Sequence, residues 1–106
     1  MSQAVIHGDT IYTAGTVADD RKADVGAQTR NILEKLERLL ERAGSDKHHL
    51  ISATIWLSDM AGFEAMNAVW DDWVSKDHPP TRATVEAKLA FPDLKVEIAL
   101  IAAKAS

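Results

Sequence analysis

The chain has 106 residues, 46% hydrophobic and 26% charged, which is enough for one compact domain over residues 1–106 with one core and is the composition of an ordinary soluble globular protein. A net charge of −4 argues against a phosphate-tracking surface, which calls for a basic stripe, and the lack of any cysteine excludes disulfides, thiolate nucleophiles and zinc–sulfur sites. No apolar run reaches the ~18 residues of a membrane span, and Met1-Ser2-Gln3-Ala4-Val5 has neither the basic nor the apolar part of a signal peptide, so the expectation is a cytoplasmic protein with no nucleic-acid or membrane partner.

In chain order, Gln3 to His7 and Thr10 to Ala14 are β-branched runs on either side of Gly8-Asp9, the pattern of a β-hairpin. Gly15 ends the second run, and Thr16 to Ala23 reads as a surface loop. Asp24 can cap a helix running to about Ala43, because Val25, Ile32, Leu33, Leu36, Leu39, Leu40 and Ala43 form a stripe at helical spacing. Gly44 is a natural stop for it. Glu34, Lys35, Glu37, Arg38, Glu41 and Arg42 fall on the other side and read as a solvated charged face.

Leu50 to Leu57 reads as a strand with Ile51, Ala53, Ile55 and Leu57 on one face. Ser58 or Asp59 then caps a second helix carrying Phe63, Met66, Trp70, Trp73 and Val74, and Pro79-Pro80 forbids its continuation. Two more strands follow, Arg82–Leu89 and Leu94–Ala103, with Ala90 to Asp93 short enough to join them as a hairpin. The order ββαβαββ predicts an α+β layer with both helices on one face of a mixed sheet. On the last strand Val96, Ile98, Leu100 and Ala102 alternate with Glu97, Ala99, Ile101 and Ala103, so both sheet faces are largely apolar. Two helices cover one face, and a further copy of the chain is the simplest cover for the other.

The strand after Pro79-Pro80 carries the chemistry. Arg82, Thr84, Glu86 and Lys88 share a face by the two-residue period, and arginine presents a planar fork of donors that fits a carboxylate. A loop centred between Phe91 and Pro92 would pair Glu97 opposite Glu86 on that same face, with Arg82 roughly 13 Å further along the strand. Simpler roles exist: a strand-end ion pair for Arg82, an interface acid for Glu97, a helix-surface amide for Asn67, and core or interface packing for Trp56, Trp70 and Trp73. His7, His48, His49 and His78 have no metal-ligand spacing with a nearby acid, and no nucleophile elbow or phosphate-binding glycine loop is present.

These segments resemble the Rid family, the reactive-intermediate deaminases also called the YjgF family. Ser2-Gln3-Ala4-Val5 is similar to the end of the family's Pro-Tyr-Ser-Gln-Ala-Val opening, and Ile11-Tyr12-Thr13-Ala14-Gly15 to its second strand. Asp24 through Gly44 resembles the first helix, with Gln28 and Asn31 in typical places, and Phe63 to Asn67 the Phe-x-x-Val-Asn segment. Pro80-Thr81-Arg82-Ala83-Thr84-Val85 resembles the Pro-Ala-Arg signature, and Lys95-Val96-Glu97-Ile98 the closing Val-Glu-Ile. The resemblance implies a chorismate-mutase-like fold and a homotrimer whose sheets form a central barrel with clefts between subunits. It implies hydrolysis of 2-imino acids, or their enamine tautomers, to 2-keto acids and ammonia, with no cofactor and no metal.

In that setting Arg82 would hold the substrate carboxylate, and Glu97 would position water. A backbone amide near Arg82, Ala83 and Thr84 would bind the imine or keto group. Gly15 would allow close backbone approach, and Asn67 would support the cleft wall. Thr84 stands where the family often has cysteine, Ala14 where it often has serine, and the opening tyrosine has no counterpart. The alternatives are a non-catalytic module for small carboxylates and, less favoured by the acidic balance, an RNA-cleaving protein.

Overall fold

The structure, a computed structural model, describes residues 1–105. Strands β1 (Ala4–His7) and β2 (Thr10–Thr13) form the expected hairpin. Gly8 turns it with φ of 60°, a left-handed value that a residue without Cβ reaches at little cost. Helix α1 (Val25–Arg42) starts where Asp24 accepts a hydrogen bond from the Ala27 N–H through its carboxylate at 2.8 Å. It ends in a paired cap: the Gly44 N–H donates to the Glu41 carbonyl and the Ser45 N–H to the Leu40 carbonyl. Gly44 supplies the left-handed φ of 89° that this cap requires.

Strand β3 (Leu50–Leu57), helix α2 (Phe63–Trp73), strand β4 (Thr81–Glu86) and strand β5 (Val96–Ala103) follow. Single turns of 3-10 helix at Lys47–His49 and Met60–Gly62 precede β3 and α2, capped by Asp46 and Asp59. A register shift between Leu50 and Ser52 turns Ile51 outward, 46% exposed, and buries Leu50 in its place, so the strict alternation expected from Ile51 begins only at Ala53.

The five strands make one mixed sheet in the order β1-β2-β5-β3-β4. The expected hairpin between the last two strands does not form. Strand β4 pairs in parallel with β3 at the sheet edge, and β5 runs antiparallel to β3 on its other side. The reason lies in α2: a strand, a crossover helix and a returning strand place the two strands side by side and parallel. Residues 87–95 then carry the chain across β3 to the slot beside β2.

One sheet face packs on both helices. Val96, Ile98, Leu100, Ala53, Ile55 and Leu57 are buried there with Ile32, Leu33, Leu36 and Leu40 of α1 and Met66 and Trp70 of α2. Among the described residues nothing covers the opposite face. Val5, Tyr12 and Ile101 lie in register across it, as do Val85, Trp56 and Glu97, and Val5, Tyr12 and Val85 are exposed. Among the described residues no helix is long and apolar enough to cross a membrane.

Candidate functional site

The strand order separates the residues that the sequence placed on one face. Arg82 is in register with buried Ala53, on the helix side of the sheet, whereas Glu97 is in register with Trp56 on the open side. Glu86 and Glu97 are not paired: Leu57 stands opposite Glu86. From Glu97 to Arg82 the path crosses two strand spacings and three residues, which puts their Cα atoms roughly 14 Å apart. One protomer thus carries two corners rather than one pocket.

The first corner is built around Arg82. Its Nη1 donates to the Asn67 side-chain oxygen at 2.6 Å, and its guanidinium carbon lies 5.7 Å from the centres of both the Phe63 and the Trp70 rings, within cation–π range. Helix α2 places all three partners. Asn67 lies four residues after Phe63 and three before Trp70, so they share the helix face that meets β4. The Asn67 amide in turn donates to Asp71 at 3.3 Å. No carboxylate lies within ion-pair distance of Arg82 among the described residues, so the strand-end ion pair is not what holds it. Thr84, two residues on and on the same face, has its hydroxyl oxygen buried without a hydrogen-bond partner. Ala83 faces the other way and is exposed on the edge strand. Phe63 and Trp70 read from sequence as packing residues; their spacing about Asn67 was the available sign of a second role.

The second corner is built around Gly15. Thr16 bridges to Ile98, with N–H to carbonyl distances of 2.9 and 3.1 Å, so β2 is prolonged along β5 past its formal end. This brings Gly15 beneath Glu97, and a Cβ on Gly15 would overlap the Glu97 carboxylate. A side chain at this position would therefore displace the end of the Glu97 side chain. Gly15 and Ala14 also line a cavity of about 490 Å³, whose far wall is α1 with Lys35, Arg38 and Arg42. Three members of the charged run on α1 thus face a cavity rather than bulk solvent alone. The Lys35 ammonium donates to the Val17 carbonyl and the Asp19 carboxylate, each at 2.8 Å. The hydrogen bond and charge of Lys35 hold the Asp19 carboxyl below the usual carboxylate range.

A further residue that the sequence placed only by its family position is Gln28. It is fully buried; its amide donates to the Ala23 and Asp93 carbonyls at 3.0 and 3.2 Å, and its oxygen accepts from the Lys95 N–H at 2.9 Å. It ties α1 to the entry of β5, two residues before Glu97.

A five-stranded mixed sheet with two helices on one face and an arginine on the edge strand defines an α+β protein of the YjgF type. The Endoribonuclease L-PSP family model matches residues 1–104. The RutC family protein YoaB of Escherichia coli is 45% identical over 102 residues, covering 96% of this chain and 89% of its own length. The crystal structure of a YjgF family member from Neisseria meningitidis superposes with a TM-score of 0.96 at 40% identity, covering 100% of this chain and 88% of that one. A Mycobacterium tuberculosis member of the YjgF/YER057c/UK114 family gives a TM-score of 0.87 at 31% identity, covering 97% of this chain and 86% of that one. The chain belongs to the YjgF/Rid family.

Proposed function

We propose that this protein is a hydrolytic deaminase of reactive 2-imino acids and their enamine tautomers, working as a cytoplasmic homotrimer with its sites in the clefts between subunits. The observation that carries this reading is Arg82: a guanidinium held by an amide and two rings, with no carboxylate of its own. Such a group is preorganised for a substrate carboxylate. The Arg82 and Glu97 corners lie on opposite faces of one protomer, so they meet on one small molecule only when two protomers adjoin. The uncovered face around Tyr12, Trp56 and Val85 supports such packing, since apolar surface of that kind gains by leaving water.

In this arrangement Arg82 of one protomer holds the carboxylate and Asn67 keeps its fork in plane. An unpaired N–H on the outer edge of β4, near Ala83 and Thr84, takes the developing charge at the C=N or C=O group. Thr84 adds a hydroxyl that has no other partner. Glu97 of the neighbour orients a water and accepts its proton as oxygen attacks the imine carbon. The C–N bond of the resulting carbinolamine then breaks and nitrogen leaves as ammonia, so one imino acid and one water give one 2-keto acid and one ammonia. An imine reacts with water readily, and positioning supplies most of what is needed. No residue is required as a covalent nucleophile.

The test is keto-acid release from enzymatically generated 2-iminopropanoate. Wild type is expected to accelerate it, and Arg82→Ala to lose about 100-fold to 1000-fold in kcat/KM, the worth of two charge-assisted hydrogen bonds, while light scattering shows the trimer retained. Wild-type rates equal to the protein-free control across several imino acids would sink the reading. Saturable 2-keto acid binding without turnover would instead make the chain a carboxylate-binding module.

A further inference from the structure

Helix α2 and strand β4 meet along a seam that side chains tie at two places. One tie is the Arg82–Asn67 bond at 2.6 Å. The other lies four residues along β4, where the Glu86 carboxylate accepts from the Met60 N–H at 3.0 Å. Arg82, Thr84 and Glu86 turn to the same side of the sheet, because their partners on β3, Ala53, Ile55 and Leu57, are all buried in the core beneath the helices. Thr84 stands between the two ties, and its hydroxyl oxygen is buried without a hydrogen-bond partner, so it adds no third tie.

The Glu86 bond bears on how α2 begins. Met60 opens the 3-10 turn that runs directly into Phe63, the first residue of α2. The first N–H groups of a helix have no partner within it, and Gly62, at the cap position of α2, has no side chain to supply one. Asp59 bonds the Ala61 N–H at 2.9 Å, which shapes the turn from within. Glu86 is the one side chain of the sheet that hydrogen-bonds this turn among the described residues, and a carboxylate there suits the positive end of the helix that follows. Phe63 comes three residues after Met60, and its ring centre lies 5.7 Å from the Arg82 guanidinium carbon. With only Ala61 and Gly62 between them, the place where Glu86 holds Met60 decides where the ring stands.

We infer that Glu86 is a positioning residue of the Arg82 corner: it docks the start of α2 on β4, which sets Phe63 over the guanidinium that receives the substrate carboxylate. The inference rests on the deaminase reading above for its ligand, and adds to that site a residue that touches no substrate atom. Glu86 acts through its bond and not through its charge. It is exposed and lies roughly 13 Å from Arg82 along the strand, beyond the screening length of about 8 Å at physiological salt. A neutral side chain with an acceptor oxygen in the same place therefore serves as well.

The experiment measures calorimetric binding of 2-oxopropanoate and hydrolysis of 2-iminopropanoate by wild type, Glu86→Ala, Glu86→Gln, Met60→Pro and Arg82→Ala, with melting temperatures checking each fold. Met60→Pro deletes the N–H from the other side of the bond. Asp59 before it is extended, with φ of −152° and ψ of 126°, as a residue preceding proline prefers, and proline suits the first position of a helical turn. Glu86→Ala is expected to weaken 2-oxopropanoate binding about threefold to fivefold, the worth of one cation–ring contact, and to raise KM by the same factor with kcat nearly unchanged. Met60→Pro should do the same, and the double variant Glu86→Ala/Met60→Pro no more than either alone, because both remove one bond. Glu86→Gln should bind within about 1.5-fold of wild type, since it keeps an acceptor oxygen. In Phe63→Leu, which lacks the ring, Glu86→Ala should cost nothing further. Unchanged affinity in Glu86→Ala and Met60→Pro, a Glu86→Gln as weak as Glu86→Ala, or losses that add in full with Phe63→Leu overturn the inference. If wild type binds 2-oxopropanoate, Arg82→Ala loses it and Glu86→Ala keeps it, the deaminase reading stands and only this inference falls. If wild type binds without hydrolysis and Glu86→Ala weakens that binding, only the deaminase reading falls; if wild type neither binds nor hydrolyses, both fall.

Discussion

At the Arg82 corner the functional group is held in place. Asn67 bonds the guanidinium at 2.6 Å, and Phe63 and Trp70 flank it. At the Gly15 corner the backbone is fixed by the Thr16–Ile98 bridge, and the cavity beside it is bordered by charged side chains of α1 and by Asp19. On the proposed reading, the held Arg82 cation suits the part of the ligand that never varies, the carboxylate beside the imine. The contrast is between a held cation at one corner and a fixed backbone at the other, and each corner can be disturbed without touching the other.

The largest effect is expected where the second corner is anchored. Gln28 bonds four backbone groups from inside the core, two of them at Asp93 and Lys95 on the entry to β5. Gln28→Ala leaves the part-buried Asp93 carbonyl and Lys95 N–H without this partner, each at a cost of roughly 1–3 kcal/mol, while the Ala23 carbonyl keeps the Lys95 ammonium. A net loss of about 3 kcal/mol is expected, a drop in melting temperature of roughly 12–24 °C for a domain of this size, measured at matched protein concentration because assembly contributes to stability. A drop under about 4 °C would mean that Gln28 does not hold this corner.

Gly15→Ala comes next. The new methyl overlaps the Glu97 carboxylate, which must swing away. The expected result is about a 100-fold fall in kcat with little change in keto-acid affinity, equivalent to ~2.7 kcal/mol of lost transition-state stabilisation. Introduced into Glu97→Ala, the same change should cost almost nothing, because the group it displaces is gone. Full additivity of the two losses would show that Gly15 serves some purpose other than room for Glu97.

What could be read from the chain divides along a physical line. The hairpin at Gly8, the cap at Asp24, the stop at Gly44 and both helices are local, and each is written in neighbouring residues. The pairing of β4 was not legible in that way. A four-residue gap, Ala90 to Asp93, suggested a hairpin, while the crossover through α2 put β4 beside β3 instead. That single non-local choice moved Arg82 and Glu97 to opposite faces. It also left the two residues as separate corners of one protomer. Asn67 was expected as a cleft-wall residue chiefly through the family pattern, and what the structure shows is its bond to Arg82. The α1 run containing Lys35, Arg38 and Arg42 looked like any wet helix face, because the segment that walls the cavity, residues 14–17, lies about twenty residues away in sequence.

The smallest effect separates a held arginine from a merely present one. Asn67→Ala removes the 2.6 Å bond to Arg82 but leaves the rings and the charge. Asn67 is only partly buried, so stability should change by less than about 1 kcal/mol. The guanidinium, freed in plane, must then be ordered by the substrate itself, and fixing such a side chain costs ~0.5–1.5 kcal/mol. The expected result is a KM raised about three- to tenfold with kcat nearly unchanged, since the carboxylate contact is made equally in the ground state and the transition state. A fall in kcat at constant KM would place Asn67 against the reacting atoms and erase the division between the two corners. An unchanged KM would show that Phe63 and Trp70 suffice to aim the fork.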